Sequence, residues 1–185
     1  TIYGPKLKTV GLVECLEAAK NSPHYQSAIA EGNGRGIAAG FWFNIGGQSS
    51  VTVNMNPDGT GTIVEGSPDI GGSRASMQMM AAEVLGIAPS NLNPIIADTE
   101  TLPYSASTGG SRTTFATGMA VIEASESVVA QVKQRAAAVW NVTAEQVDYA
   151  DGVASNTAGD DKLTLAEVCK SAEQTGGQIS GMANI

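Results

Sequence analysis

Four residues occur twice in this chain. Gly71-Gly72-Ser73-Arg74 and Gly109-Gly110-Ser111-Arg112 each stand directly before a segment with helical periodicity. The start of a helix leaves backbone N–H groups without partners, and the helix dipole adds positive potential there. Glycines remove the Cβ atoms that would hold a ligand off those groups. The serines add hydroxyl donors, and each arginine can grip a phosphate through two hydrogen bonds. Two such turns on one edge of a sheet would hold the two ends of one polyanionic or highly polar ligand. A Gly-Gly-Ser stretch is also an ordinary capping loop, and the residues by themselves leave both readings open. Neither copy carries the Lys-Ser/Thr of a phosphate loop or the GxGxxG spacing of a dinucleotide fold.

The remaining reactive residues are sparse. His24 is the only histidine and stands in a Pro-containing linker, which removes His-dependent triads and a zinc site from consideration. Cys15 and Cys169 lack metal or redox spacing and are expected to be two buried free thiols, with a disulfide between them as the alternative. Asp98 and Glu100 could act as acid or base, but carboxylates at the end of a short strand more often cap the adjoining loop. Glu83 falls on a helix, Met77, Met79 and Met80 read as core packing and its flank, and Tyr104 reads as a loop residue that could line a cavity. A binding site can be assembled from these residues, but not a nucleophile with a base beside it.

The elements must bring the two turns together. With 185 residues the chain is expected to hold one domain, or one domain and an appendage. Boundaries are expected at 1–33, a helix and linker, and 34–185. The net charge of −8 argues against general nucleic-acid binding. No signal peptide is seen and no apolar run approaches the roughly 20 residues of a membrane span, so a cytoplasmic protein is expected. The opening residues lack a Met and the closing stretch "GGQISGMANI" reads as Gly-rich without a closing element. An excised piece of something longer is therefore expected.

Periodicity predicts a first helix capped by Thr9 and ended by Asn21 and Pro23, a linker at 22–34, and a β segment at 34–45 carrying Phe41 and Phe43 on one side. Val51, Val53 and Met55 alternate with polar residues before the turn "NPDG", so a hairpin is predicted. A helix follows to Gly86, with Met77, Met80, Ala81, Val84 and Leu85 on one face, and then a short buried strand at 93–98. The second turn opens a helix over about 112–140, with Phe115, Met119, Ile122, Val129, Val132, Ala136 and Trp140 in its apolar stripe. A helical turn at "AEQV", a second hairpin turning at Asp151-Gly152, and one helix over "LTLAEVCKSAEQTG" capped by Thr164 and Glu167 complete the chain. The order β-β-β-α-β-α-β-β-α predicts an α+β, two-layer domain with a mixed β-sheet packed against helices.

The stretches "GSPDIGGSRASMQMMAAEVLGI" and "ADTETLPYSASTGGSRTTFATGMAVIEA" resemble the molybdenum hydroxylases, the large molybdopterin-binding subunits of the xanthine dehydrogenase and aldehyde oxidase family. "GRGIAAGFWF", the hairpin and "LTLAEV" fit the same pattern. The resemblance runs from Gly34 onward and places the chain in the second molybdopterin-binding half. It implies that Gly71, Gly72, Ser73 and Arg74, with Thr108, Gly109, Gly110, Ser111, Arg112 and Thr113, hold a molybdenum–molybdopterin cofactor. Gly72 stands where many members carry a glutamine. The family hydroxylates an aldehyde or N-heterocycle with water as oxygen source and passes electrons to [2Fe-2S] clusters and FAD on partner subunits or domains. The resemblance implies a parent enzyme whose base, a glutamate, has no matching position here, so the piece alone is expected to be inactive and prone to self-association. The alternative is a free-standing, non-enzymatic anion-binding or assembly module, favoured by the missing acid–base machinery.

Overall fold

The computed structural model describes residues 6, 8–40, 42, 46–102 and 104–185. The chain divides into two compact units, Thr1–Phe41 and Trp42–Ile185.

In the first unit, α1 spans Leu12–Asn21 and α2 spans Pro23–Gln26; neither buries a residue. Gly11, not Thr9, occupies the N-cap of α1 and no side chain caps it. Ser22 ends α1 in an extended conformation and caps α2 through Tyr25 N–H, so the expected linker contains a helical turn started by Pro23. Residues 34–40 form no strand, which corrects the expected β segment; Phe41 and Phe43 lie outside the described residues.

The second unit carries a four-stranded sheet in the order β3-β2-β1-β7. β1 (Ser50–Met55) and β2 (Gly61–Glu65) form the predicted hairpin, with Val51 opposite Glu65 and Met55 opposite Gly61. Gly59, at φ 82°, closes its turn. β3 (Leu92–Ile96) runs parallel to β2, and β7 (Ser180–Asn184) runs antiparallel to β1 on the other side. The sheet is therefore mixed and the fold is α+β. β3 is an edge strand: Ile95 and Ile96 are exposed, and Pro94 is tolerated where one side of the ladder is free. The expectation of a buried strand there is corrected. β7 supplies the closing element that the Gly-rich stretch hides.

α3 (Ser73–Leu85) and α4 (Gly118–Trp140) cover one face of this sheet. Val51, Val53, Met55 and Ile63 point from the strands into Met77, Ala81, Leu85, Ala120, Val121, Ala124 and Val128. Each large side chain in that layer contributes about 1.5–3 kcal/mol relative to exposure. Phe115 and Met119 are exposed, against expectation. A π-helical turn over Thr113–Thr117 precedes α4, and its extra residue rotates the face that meets the sheet. Ala116, Ala120 and Val121 take the inner positions instead.

The remainder packs around the far half of α4. β4 (Val147–Ala150), β5 (Val153–Asn156) and β6 (Lys162–Thr164) form a three-stranded antiparallel sheet. Asp151 and Gly152, both at positive φ, make the predicted hairpin turn. Thr164 and Glu167 form the expected capping box, but the helix is split into α5 (Leu165–Lys170) and α6 (Ala172–Thr175).

Candidate functional site

The first glycine turn joins β2 to α3. Gly71 (φ 62°) and Gly72 (φ 83°) adopt left-handed conformations that few other residues accept. The Asp69 carboxylate then folds over the helix start. It accepts from the Arg74 amide at 3.0 Å and the Ser73 hydroxyl at 3.4 Å, and pairs with Arg74 Nε at 3.2 Å. The Arg74 amide, reinforced by its guanidinium, holds the Asp69 carboxyl below the usual carboxylate range. The chain therefore places an anion of its own at the first turn. The sequence reading missed Asp69; an acid just ahead of a Gly-Gly helix start is the signal that could have found it.

The second turn is built differently. Gly110 (φ 58°) and Ser111 (φ 57°) are successive left-handed residues, and the Arg112 amide donates to Gly109 O at 3.3 Å. Trp42 Nε1 donates to Ser111 Oγ at 2.9 Å. No acidic residue occurs between Thr101 and Gly118 to fold over this turn. The Thr113 hydroxyl is buried and has no hydrogen-bond partner. Buried polar groups are almost always paired, so this one is a group in want of a ligand. A Cβ added at Gly71, Gly72 or Gly109 would meet nothing within 4 Å, so all three glycines face open space.

Arg112 corrects the expectation of two outward-gripping arginines. It is 2% exposed, the largest fully buried side chain among the described residues. Its Nε donates to Gly46 O at 2.7 Å, Nη1 to Ala106 O at 2.9 Å, and Nη2 to Gln48 O at 2.6 Å and to the Ser49 hydroxyl. The guanidinium is spent on backbone carbonyls and is turned away from any guest at the turn.

A run of buried hydroxyls continues inward from it. Ser49 Oγ lies 3.0 Å from Thr117 Oγ1, which lies 2.8 Å from Ser67 Oγ. The Ser67 amide donates to Glu65 Oε2 at 2.5 Å. Burial pushes the Glu65 carboxyl above the usual carboxylate range, against the pull of that hydrogen bond. Ser49, Ser67 with its neighbour Glu65, and Thr117 come from three segments, so no local motif announces them.

The two turns lie side by side. β2 and β3 are parallel, and each leads through a glycine turn into a helix. Met80 of α3 lies against Gly118 of α4, and Ser76, Val84, Thr114 and Ile122 line one shallow depression between the helices. Thr117, just before α4, meets Ser67 just after β2, while Gln131, further along α4, reaches Ser180, which pairs with Asn54 toward the other end of the sheet. α3 likewise starts after the carboxyl end of β2 and leads back to the start of the parallel strand β3. Both helices therefore begin at the carboxyl ends of the parallel strands, where α/β units present ligand sites.

The other candidates fall outside this arrangement. Asp98 accepts from the Glu100 and Thr101 amides, each at 3.0 Å, and so caps its loop. Glu100 and Glu83 are exposed, and His24 is an exposed residue of α2. Tyr104 is exposed and borders a depression of about 300 Å³ with Asp98 and Ser105. A depression of about 420 Å³ beside Met55 and Cys169 lies at the opposite end of β1 from Ser49 and touches neither turn. Both cysteines are free and Cys169 is buried as expected, but Cys15 is exposed, because α1 buries no residue, which corrects the expectation of two buried thiols. Among the described residues no cluster could hold a metal ion directly, and no helix is long and apolar enough to cross a membrane.

The sequence profile of the molybdopterin cofactor-binding domain matches residues 14–184. The chain belongs to the molybdopterin cofactor-binding domain family. The aldehyde oxidoreductase molybdenum-binding subunit PaoC of Escherichia coli O157:H7 is 31% identical over 155 residues, covering 78% of this chain and 20% of that protein. The Cu,Mo-CO dehydrogenase in its carbon-monoxide-reduced state superposes with a TM-score of 0.69 at 19% identity, covering 74% of this chain and 18% of that one. Quinoline 2-oxidoreductase from Pseudomonas putida 86 gives 0.63 at 22% identity, covering 75% and 19%. These two likenesses establish the molybdopterin-binding fold. The chain spans about a fifth of the length of the curated relatives it matches.

Proposed function

We propose that this chain forms one wall of the cofactor site in a molybdenum hydroxylase that acts on an aldehyde or N-heterocycle. The observation that carries the reading is the pairing of two open glycine turns at one end of parallel helices. Their chemistry fits a ligand with one polyanionic end and one neutral, polar end. The second turn suits the anion: it offers Thr108, the backbone of Gly109, Gly110 and Ser111, and the unpartnered Thr113 hydroxyl. The first turn, with Asp69 over its helix start, repels an anion and suits the uncharged, hydrogen-bonding part of a pterin through Gly71, Gly72 and Ser73. Arg74, 47% exposed in its side chain, stays within reach of solvent and ligand. Arg112 shapes the second turn from behind.

Bound there, molybdenum–molybdopterin supplies two-electron chemistry in which water provides the oxygen. The residues of this chain bind and orient it. A second wall, a catalytic base, [2Fe-2S] clusters and FAD come from further domains or partner subunits, and without them the chain is inactive.

Gly109→Val tests this reading. Gly109 lies outside the positive-φ residues and its Cβ would project into open space, so the fold should tolerate the change. In the full polypeptide that carries this segment, the expected result is an unchanged Tm with about a tenfold loss of molybdenum and pterin per chain, the scale of one well-placed contact set. Cofactor content equal to that of the unaltered protein would defeat the proposal.

A further inference from the structure

Arg112 and Thr117 do work at the two turns without facing the open side of either. Arg112 draws Gly46, Gln48 and Ala106 onto the back of the second turn through their carbonyl oxygens. Thr117 stands in the π-helical turn between that second turn and α4. Its hydroxyl is the meeting point of Ser49, which Arg112 holds, and Ser67, which belongs to the approach to the first turn. Thr117, Ser49 and Ser67 are all at most 2% exposed, so this junction is screened from water. Buried hydrogen bonds of this kind have few alternatives to exchange with, and they fix geometry closely when every member is paired.

We infer that Arg112 and Thr117 are positioning residues that yoke the two glycine turns into one receptor. Beside the β2–β3 ladder and the Ala97 amide that donates to Glu65 O, the hydroxyl of Thr117 joins the lead-in of the first turn through side chains to the π-helical turn that follows the second. Neither turn then keeps its conformation independently of the other. A ligand that touches both meets a span already set, and so loses less conformational freedom on binding. The consequence for the cofactor rests on the function proposed above; the mechanical link does not.

Thr117→Val tests the link, because it removes the hydroxyl at nearly constant volume. The control is Val132→Ala, which opens a small cavity in α4 away from both turns. Amide hydrogen exchange is compared in the full polypeptide at conditions where the two variants have equal global stability. Thr117→Val is expected to speed exchange by about tenfold in 66–72 and in 108–113 together, and Thr117→Ser to restore protection, whereas Val132→Ala leaves both segments as in the parent. Faster exchange in one segment alone, in neither, or to the same extent with Val132→Ala would overturn the inference. Pterin content is measured on the same samples. If the parent retains no pterin, the functional proposal fails while the exchange result still decides the yoke.

Discussion

Glu65 faces the core from the last position of β2 and is 1% exposed. Its burial raises the pKa of the folded state above the ordinary 4.5, so the folded chain holds that proton more tightly than the unfolded chain. The resulting stabilisation is complete below the unfolded pKa and is lost as pH rises through the folded one. Glu65→Gln removes the charge at constant shape. It should raise Tm at neutral pH, with the gain shrinking as pH falls toward 4.5; a gain independent of pH would contradict this reading. The two thiols make a second contrast. Burial, with the Asp58 charge adding to it, pushes Cys169 up to about 11, while Cys15 is exposed. The thiolate is the reactive form. A thiol reagent at neutral pH should therefore label Cys15 alone in the folded chain, and Cys169 only after denaturant; simultaneous labelling would refute it. Single residues of this kind were poorly legible in the sequence. The Gly-Gly-Ser-Arg repeat was visible, but identical letters hid opposite roles: Arg74 lies outside, beside Asp69, and Arg112 is buried among carbonyls. Burial is decided by distant segments, and a four-residue motif carries no record of them.

At the level of elements, α4 and β7 meet backbone against backbone at Gly181. A Cβ built on Gly181 would lie 1.9 Å from the Ala124 carbonyl oxygen, which is backbone and cannot step aside. Gly181 is absent from the positive-φ glycines, so space alone requires it. Gly181→Ala should cost about 1–3 kcal/mol or more, because strand and helix must separate. Urea unfolding would measure the loss, and an unchanged midpoint would show that the two elements slide apart freely. Elements with local chemistry were read well from sequence. The β1–β2 hairpin follows from alternation and its turn, and α5 from its capping box. The apolar run of β3 predicts an interior strand because it carries no sign of which edge it occupies. Regular helical periodicity predicts Phe115 and Met119 inward, since a π-helical turn changes the phase without changing composition.

On the scale of the whole chain, Trp42–Ile185 contains two successive strand–turn–helix units, β2 to α3 and β3 to α4, laid parallel. The α+β class and mixed sheet were legible from the order of patterns, and the family from the spacing of the two turns. The strand order was not legible, because β7 is only a short stretch of small residues whose identity as a strand comes from its partner. Val53 pairs with Gly181 across nearly the full length of the unit. A nascent polypeptide leaving the ribosome thus presents β1 with a vacant border until β7 emerges, more than a hundred residues later, after α3 and α4 have been made. Such a border accepts any complementary strand of correct register. Two copies that traded their β7 strands would satisfy the same ladder, with hydrogen bonds matching those of the lone molecule.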